Sequence, residues 1–361
     1  MSTETPLAPA GAHRADTDGP VRTQRRLPRF AASGLFLGGL VVGGLLSALT
    51  GFSLVLAVVY GVVLGTLAVY LVSRSIEGRR KATDRLVTSL VTTAFLIAMV
   101  PLLSLVYTVL DNGLPRLDGA FFTNSMYRVV GEGGGAYHAI LGTVIITALA
   151  TIISVPIGLL TAIYLVEYGT GRLKKAITFF VDVMTGIPSI VAGLFSFALF
   201  TLVFGNSVRL GVMGAVALSV LMIPVVVRSC EEVLKLVPNE LREASYALGI
   251  PKWRTVVKVV LPTAIAGLGT GITLSVARVV GETAPLLVTV GLITGTNLNP
   301  FDGRMATLPV FAYFQLTQPG TATQAFIDRA WTAALVLIIL VMALNVVARL
   351  ISRFFAPKTG R

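Results

Sequence analysis

The sequence predicts an all-α polytopic membrane protein of about eight transmembrane helices, and three observations carry that expectation. First, charged types make up 13% of the 361 residues and hydrophobic types 55%. A soluble domain carries about 25% charged residues, so this chain has too little polar surface to cover itself in water. Soluble-enzyme and disordered-protein readings both fall at that point. Second, mean hydropathy is +0.84, and the apolar residues gather in runs of about 20, the length that crosses a bilayer. Third, Lys and Arg are divided unevenly among the segments between those runs.

Residues 1–29 are polar, hold five arginines and show no apolar periodicity. They read as a disordered cytoplasmic tail. The tail is too long and unpatterned for the basic region of a signal peptide, and the apolar run after it is too long for a cleaved core. Spans are expected over 30–49, 52–72, 86–110, 139–166, 176–204, 210–227, 264–293 and 331–351, with 356–361 as a second tail. Thr50 and Gly51 separate the first two spans, so 30–72 reads as a tight helical hairpin. It carries the pairs Gly34/Gly38, Gly39/Gly43 and Gly61/Gly65. Small residues four apart let helices approach closely in lipid.

With the N-terminus inside, the inner segments hold 23 of the 29 Lys and Arg residues and the outer segments five; the last is Arg278, within a span. Cytoplasmic loops collect Lys and Arg, so both termini are expected in the cytoplasm. The same rule accounts for the net charge of +12 without nucleic acid. The single cysteine, Cys230, excludes an internal disulfide and a cysteine-based metal site. The two histidines, His13 and His138, match no zinc spacing. His138 reads as a solvated residue of an outer loop, and no metal or cofactor is expected. There is no G-x-x-x-x-G-K-[ST], so the chain has no P-loop to cradle ATP phosphates. No Ser-His-Asp or Cys-His grouping offers a nucleophile. The chain reads as a conduit, not an enzyme, and its energy must come from another subunit.

The inner segment 228–262 is the most informative. Pro238 and Asn239 are helix-start chemistry, and Leu241, Ala244, Ser245 and Leu248 repeat at helical spacing. Gly249 and Pro251 stop that helix, and Trp253, Val256, Val257 and Val260 form a second apolar face. Two short amphipathic helices with a sharp bend suit either a partner's groove or lipid headgroups. Pattern alone does not choose between them.

Arg278 lies 14 residues into the span 264–293, roughly 21 Å along a helix. An arginine there costs about 2.5–3.5 kcal/mol on insertion scales. Glu282, one turn on, can pair with it. The pair serves either helix packing or an anion pathway, for which a planar guanidinium fork suits an oxyanion. The span is longer than a bilayer needs, and Gly281 and Pro285 are expected to break it. Arg228 reads as a positive-inside anchor or a second pathway residue. Asp182 reads as its ion-pair partner or as an interfacial acid.

Glu243-Ala244-Ser245, then Gly249, then Leu261-Pro262 resembles the "EAA" loop of ABC importer permeases, with Ser245 and Val259 as departures. Arg278, Gly281, Glu282, Thr283, Ala284, Pro285, Leu286 and Leu287 resemble the R-x-x-G-E-T-A-P-L-L run of the A-type permease of the bacterial high-affinity phosphate importer. Gly133-Gly134-Gly135, the stretch Gly186-Ile187-Pro188 through Phe195, and Leu234 through Pro238 agree with the same family. The resemblance covers about 85–355 and leaves the hairpin outside the usual six-span pattern. It implies a six-helix type I importer permease core over 85–355 in a bacterial plasma membrane. The loop 230–262 would dock an ATPase through Glu243, Ala244, Ser245, Gly249, Leu261 and Pro262. Phosphate would pass Arg278, Glu282, Thr283 and Arg228. The implied partners are a second homologous permease, two ATPase subunits, an external phosphate-binding protein, inorganic phosphate and membrane lipid. Rival readings are a permease for another oxyanion, an ion-coupled secondary transporter, and a membrane scaffold. The docking loop argues against a lone carrier, and Arg278 with Glu282 in a span argues against a scaffold.

Overall fold

The computed structural model describes residues 27–28, 30–49, 51, 53–205 and 208–355. The tails expected at 1–29 and 356–361 therefore lie outside the described residues, Leu27 and Pro28 excepted. Among the described residues every regular element is helical. In chain order they are α1 (Ala31–Leu49), α2 (Leu54–Ile76), α3 (Arg79–Gly113), α4 (Gly119–Thr123) and α5 (Tyr137–Ile163). Next come α6 (Gly171–Thr185), α7 (Ser189–Phe204), α8 (Gly211–Lys235), α9 (Asn239–Ala247) and α10 (Lys252–Thr255). The last are α11 (Leu261–Val280), α12 (Ala284–Thr289), α13 (Leu308–Thr317) and α14 (Thr323–Phe355). Seven helical runs are long and apolar enough to cross a membrane, and the bent pair α6–α7 is an eighth candidate.

The expected spans need three corrections. The run 176–204 is not one helix: α6 and α7 meet at 106°. Gly186 ends α6, and Pro188, which has no N–H to continue the ladder, precedes α7. The run 264–293 starts earlier and breaks sooner. Helix is continuous over Lys252–Val280, and Gly281–Thr283 separate it from α12. The outer segment 294–330 contains α13, whose residues Leu308 to Phe311 are all buried. Its ten residues are too short to span a bilayer, so hydropathy passes over it.

The chain divides into two compact units, 1–105 and 106–361, with the division inside α3. In the first, α1 and α2 form the hairpin. A Cβ on Gly39 would run into the Gly65 backbone and one on Gly43 into Gly61, so four of the six glycines form the contact. Gly34 and Gly38 face nothing within 4 Å, so that pair does not pack. The Ser47 hydroxyl donates to the Ser53 carbonyl (2.8 Å) and accepts from its N–H (3.1 Å), tying the two helix ends together.

In the second unit α8 is the central element. Leu218, Met222, Val226, Cys230 and Leu234, four apart, make a buried ridge on it. That ridge meets Ile146 and Ala150 of α5 and Ala264 and Leu268 of α11 within one core. A Cβ on Gly267 would press Val233, and one on Gly271 would press Ser229, so α11 runs antiparallel to α8. A second cluster joins Phe121, Met126, Ala139, Leu308, Phe311 and Ala333. The glycine run sits beside it as a loop with Gly133 and Gly134 at φ +85° and +64°. Arg116 donates to the Gly134 carbonyl (2.7 Å), and Arg329 to those of Gly131 (2.8 Å) and Gly133 (2.9 Å). His138 is not solvated: it lies in the first turn of α5, is 2% exposed and meets Phe311 edge-on at 5.5 Å.

Candidate functional site

The residues that the sequence singled out fall into three groups. The first is the break between α11 and α12. Arg278 occupies the last turn of α11 and is exposed; Glu282 and Thr283 are half-buried. A cation is favoured at a helix C-terminus, which offsets part of the cost of an arginine in an apolar bundle. The expected Arg278–Glu282 pair does not form among the described residues. The helix ends at Val280, so the i,i+4 register between the two is lost at Gly281. Thr283 takes the N-cap position of α12 without a side-chain capping bond. The break is seated against α7: a Cβ on Gly193 would stand 2.6 Å from the Pro285 Cα. Two stretches 92 residues apart, 186–195 and 278–287, thus form one packed feature.

The second group is a ladder of charge on the last two turns of α8. Arg228 pairs with Asp182 of α6 and with Glu231 at 2.7 Å, and Glu231 pairs with Lys235 at 2.7 Å. Glu231 is 5% exposed and escaped the sequence reading, although its spacing from Arg228 and Lys235 is that of helical ion pairs. Gly271 of α11 lies opposite Ser229, so Arg278 stands two turns, about 10 Å, further along α11 than Arg228. The two arginines belong to successive levels of the bundle, not to one cluster.

The third group is the loop after α8. Gly249, at φ +74°, turns the chain after α9. Its N–H donates to the Tyr246 carbonyl (2.9 Å), and the Ile250 N–H to that of Ser245 (3.2 Å). Ser245 is buried and shares a 2.8 Å hydrogen bond with Thr255, so the departure from alanine at this position joins α9 to α10. The second short helix is corrected: α10 continues through a π turn, Val256–Val260, directly into α11. Pro262 cannot donate to the Lys258 carbonyl, and the wider turn precedes it. Val256 and Val260 are therefore buried, Leu261 is half-buried, and Pro262 is exposed. Glu243 and Ala244 are exposed. Leu236, Leu248 and Trp253 are exposed too, at 82%, 80% and 57%. These are large apolar side chains left uncovered around the bend. Arg242 anchors it. The guanidinium meets Glu167, in the π turn Tyr164–Tyr168 that follows α5, at 2.8 Å and donates to the carbonyls of Val237 (2.6 Å) and Leu234 (3.0 Å). Neither Arg242 nor Glu167 was legible as a pair, because they are 75 residues apart.

Residues 154–361 match the family model described as binding-protein-dependent transport system inner membrane component. Phosphate transport system permease protein PstA 1 of Mycobacterium tuberculosis (strain ATCC 25618 / H37Rv) is 47% identical over 293 residues, 80% of this chain and 94% of that protein. PstA of Mycobacterium leprae (strain TN) is 48% identical over 76% of this chain and 90% of its own. The chain belongs to this family of permeases.

PstA of Pasteurella multocida (strain Pm70), 37% identical over 78% of this chain and 97% of its own, extends the family match beyond mycobacteria. Among solved structures, a bacterial alginate ABC transporter, crystallised with a pentasaccharide-bound periplasmic protein, matches with a TM-score of 0.55. It covers 77% of this chain and 97% of that one at 13% identity, which speaks to fold alone. As a PstA-family member the chain is a multi-pass membrane transport component with no catalytic chemistry of its own. The PstA-type run 278–287 is the part of it that breaks its helix, and the EAA-type run is the part that exposes apolar side chains at a capped bend.

Proposed function

We propose that this chain is the membrane-spanning permease subunit of an ATP-driven importer of inorganic phosphate. It forms half of a pathway completed by a second homologous permease. Two ATPase subunits dock on the bend at Gly249, and an external phosphate-binding protein delivers the anion. The membrane is a bacterial plasma membrane, with both chain termini on the cytoplasmic face. The observation that carries the reading is the exposed Arg278 at the α11–α12 break, unpaired with any acid among the described residues. A charged guanidinium left free in an apolar bundle needs an anion, and its fork fits a phosphate oxygen pair.

Mechanistically, closure of the ATPase dimer moves the bend. Helix runs unbroken from Lys252 to Val280, so the movement reaches Arg278. The cavity between the two permeases opens outward, takes phosphate, and reopens inward after hydrolysis. The buried Arg242–Glu167 pair supports this reading, because it fixes the base of the bend to α5. The deciding experiment is radiolabelled phosphate uptake in a transport-deficient bacterium supplied with this chain, a second permease, an ATPase subunit and a phosphate-binding protein. Uptake that needs ATP and is unaffected by excess sulfate or molybdate supports phosphate. Uptake abolished by either competitor would point to another oxyanion. Uptake without any ATPase subunit would overturn the docking assignment in favour of a lone carrier.

A further inference from the structure

A cavity of about 250 Å³ lies where α5, α13 and α14 begin or end, away from Arg278 and from the bend at Gly249. Its polar lining is His138, Gln315, Gln318 and Thr294, set among Phe311, Phe326 and other apolar side chains. No carboxylate lines it. His138 is 2% exposed, and neither ring nitrogen has a hydrogen-bond partner among the described residues. A buried imidazole left in that condition is costly, and a ligand that meets either nitrogen removes part of that cost. The cavity is a space with polar lining that it faces.

Arg329 stands directly behind two of the walls. Its Nε donates to Gln315 Oε1 at 3.0 Å, and its guanidinium lies 4.5 Å over the Phe326 ring. The first bond fixes the glutamine amide. Because its oxygen faces the arginine, the NH2 group is what Gln315 can offer the cavity. Arg329 is 1% exposed and forms no ion pair among the described residues, and its Nη2 is unpartnered. Its hydrogen bonds go to carbonyl and amide oxygens, and the acid Asp328 and the cation Arg116 both lie near enough to act on its charge, so the guanidinium keeps part of its positive field. The space therefore combines hydrogen-bond donors, a lining without acids and a fixed cation one hydrogen bond away. Those are the requirements of an anion site.

We propose that this cavity is a second site for a small oxyanion, held by His138 and Gln315, with Arg329 supplying charge from behind. The inference rests on the phosphate reading above for the identity of the anion. Leu292 and Ile293 of its wall come after α12, past Val290 and the turn at Gly291. The site is thus one short helix, about 9 Å by rise, beyond the break that holds Arg278.

The test is equilibrium binding of radiolabelled inorganic phosphate to the purified importer complex in lipid nanodiscs, without ATP and without the external binding protein. The wild-type complex should bind phosphate. His138→Phe keeps the ring packing on Phe311 and removes both nitrogens, and should weaken binding about tenfold or more. Gln315→Met should do the same, and His138→Gln, which retains a donor, should recover most of the loss. In the Arg278→Gln background, where uptake is lost, His138→Phe should still lower the phosphate bound, which separates this site from the pathway reading. Wild-type affinity in both His138→Phe and Gln315→Met would overturn the proposal. So would a wild-type complex that transports phosphate yet binds none under these conditions. Failure of wild-type uptake itself would instead fall on the phosphate reading. If His138→Phe does not assemble, Gln315→Met decides alone.

Discussion

Gly193 and Pro285 touch backbone to backbone: a Cβ added to the glycine would lie 2.6 Å from the proline Cα and 2.9 Å from its carbonyl oxygen. No side chain at the contact can move aside. Gly193→Ala should therefore cost about 1–3 kcal/mol by overpacking and shift α12 away from α7. A lower unfolding temperature together with reduced uptake is the expected outcome. Gly281→Ala, where a Cβ meets nothing within 4 Å, should keep wild-type thermal stability.

Arg278→Gln should abolish phosphate uptake at normal membrane abundance. Arg278→Lys should retain a fraction of it, because an ammonium keeps the charge and loses the two-pronged donor. The pair with Glu282 does not form, so the double change Arg278→Gln, Glu282→Gln should restore nothing. Uptake measured in the two single variants and the double variant checks this, and full recovery in the double would return the arginine to a packing role.

At φ +74° a β-branched residue is strained, so Gly249→Val should distort the bend by about 1–2 kcal/mol or more. The expected result is loss of ATPase co-purification, or ATP hydrolysis that no longer drives uptake. Gly249→Asn, which tolerates the left-handed region, should be milder. Normal uptake and complex yield in the valine variant would remove the docking role.

Glu77 carries the pH dependence of the turn between α2 and α3. Burial opposes its charge. Against that, the Leu27 N–H (2.9 Å), Arg85 (2.7 Å) and the Ser73 hydroxyl (2.9 Å) all favour the carboxylate. Together they hold its pKa at about 2, below the ordinary 4.5. A lowered folded-state value means that the stabilisation is complete above pH 4.5 and is lost as pH falls towards 2. Thermal unfolding compared at pH 6 and pH 3 should show an acid loss in the wild type, and a smaller one in Glu77→Gln.

Orientation is checked with cysteines. Cys230 is buried and gives little background. A cysteine at Leu298, 63% exposed, should react with an impermeant thiol reagent in intact cells. One at Lys252 should react only after permeabilisation. The reverse pattern would invert the charge-based topology.

Long spans were legible because hydropathy and charge sidedness are properties of the local chain. Arg278, Gly281 and Pro285 were legible as a broken helix for the same reason. What the sequence hid depends on distant partners. The bend at Gly186–Pro188 has its glycine and proline in plain view, but unbroken hydropathy on both sides conceals it. α13 is buried by α5 and α14, not by its own length. His138 looks like a loop residue until Phe311 covers it. Arg242 and Glu167 meet only because α9 folds back on the end of α5.

The absence of any joint in the helix between Lys252 and Val280 gives the molecule a lever. Arg278 is 26 residues from Lys252, about 39 Å along the axis. A tilt of about 5° imposed at the bend therefore carries the guanidinium roughly 3 Å sideways, enough to exchange one set of hydrogen-bond acceptors for another. The π turn at Val256–Val260 lies within this rod, close to its handle. Stiffening or loosening those five residues should change how faithfully a push at one face is felt at the other, with the charge itself untouched.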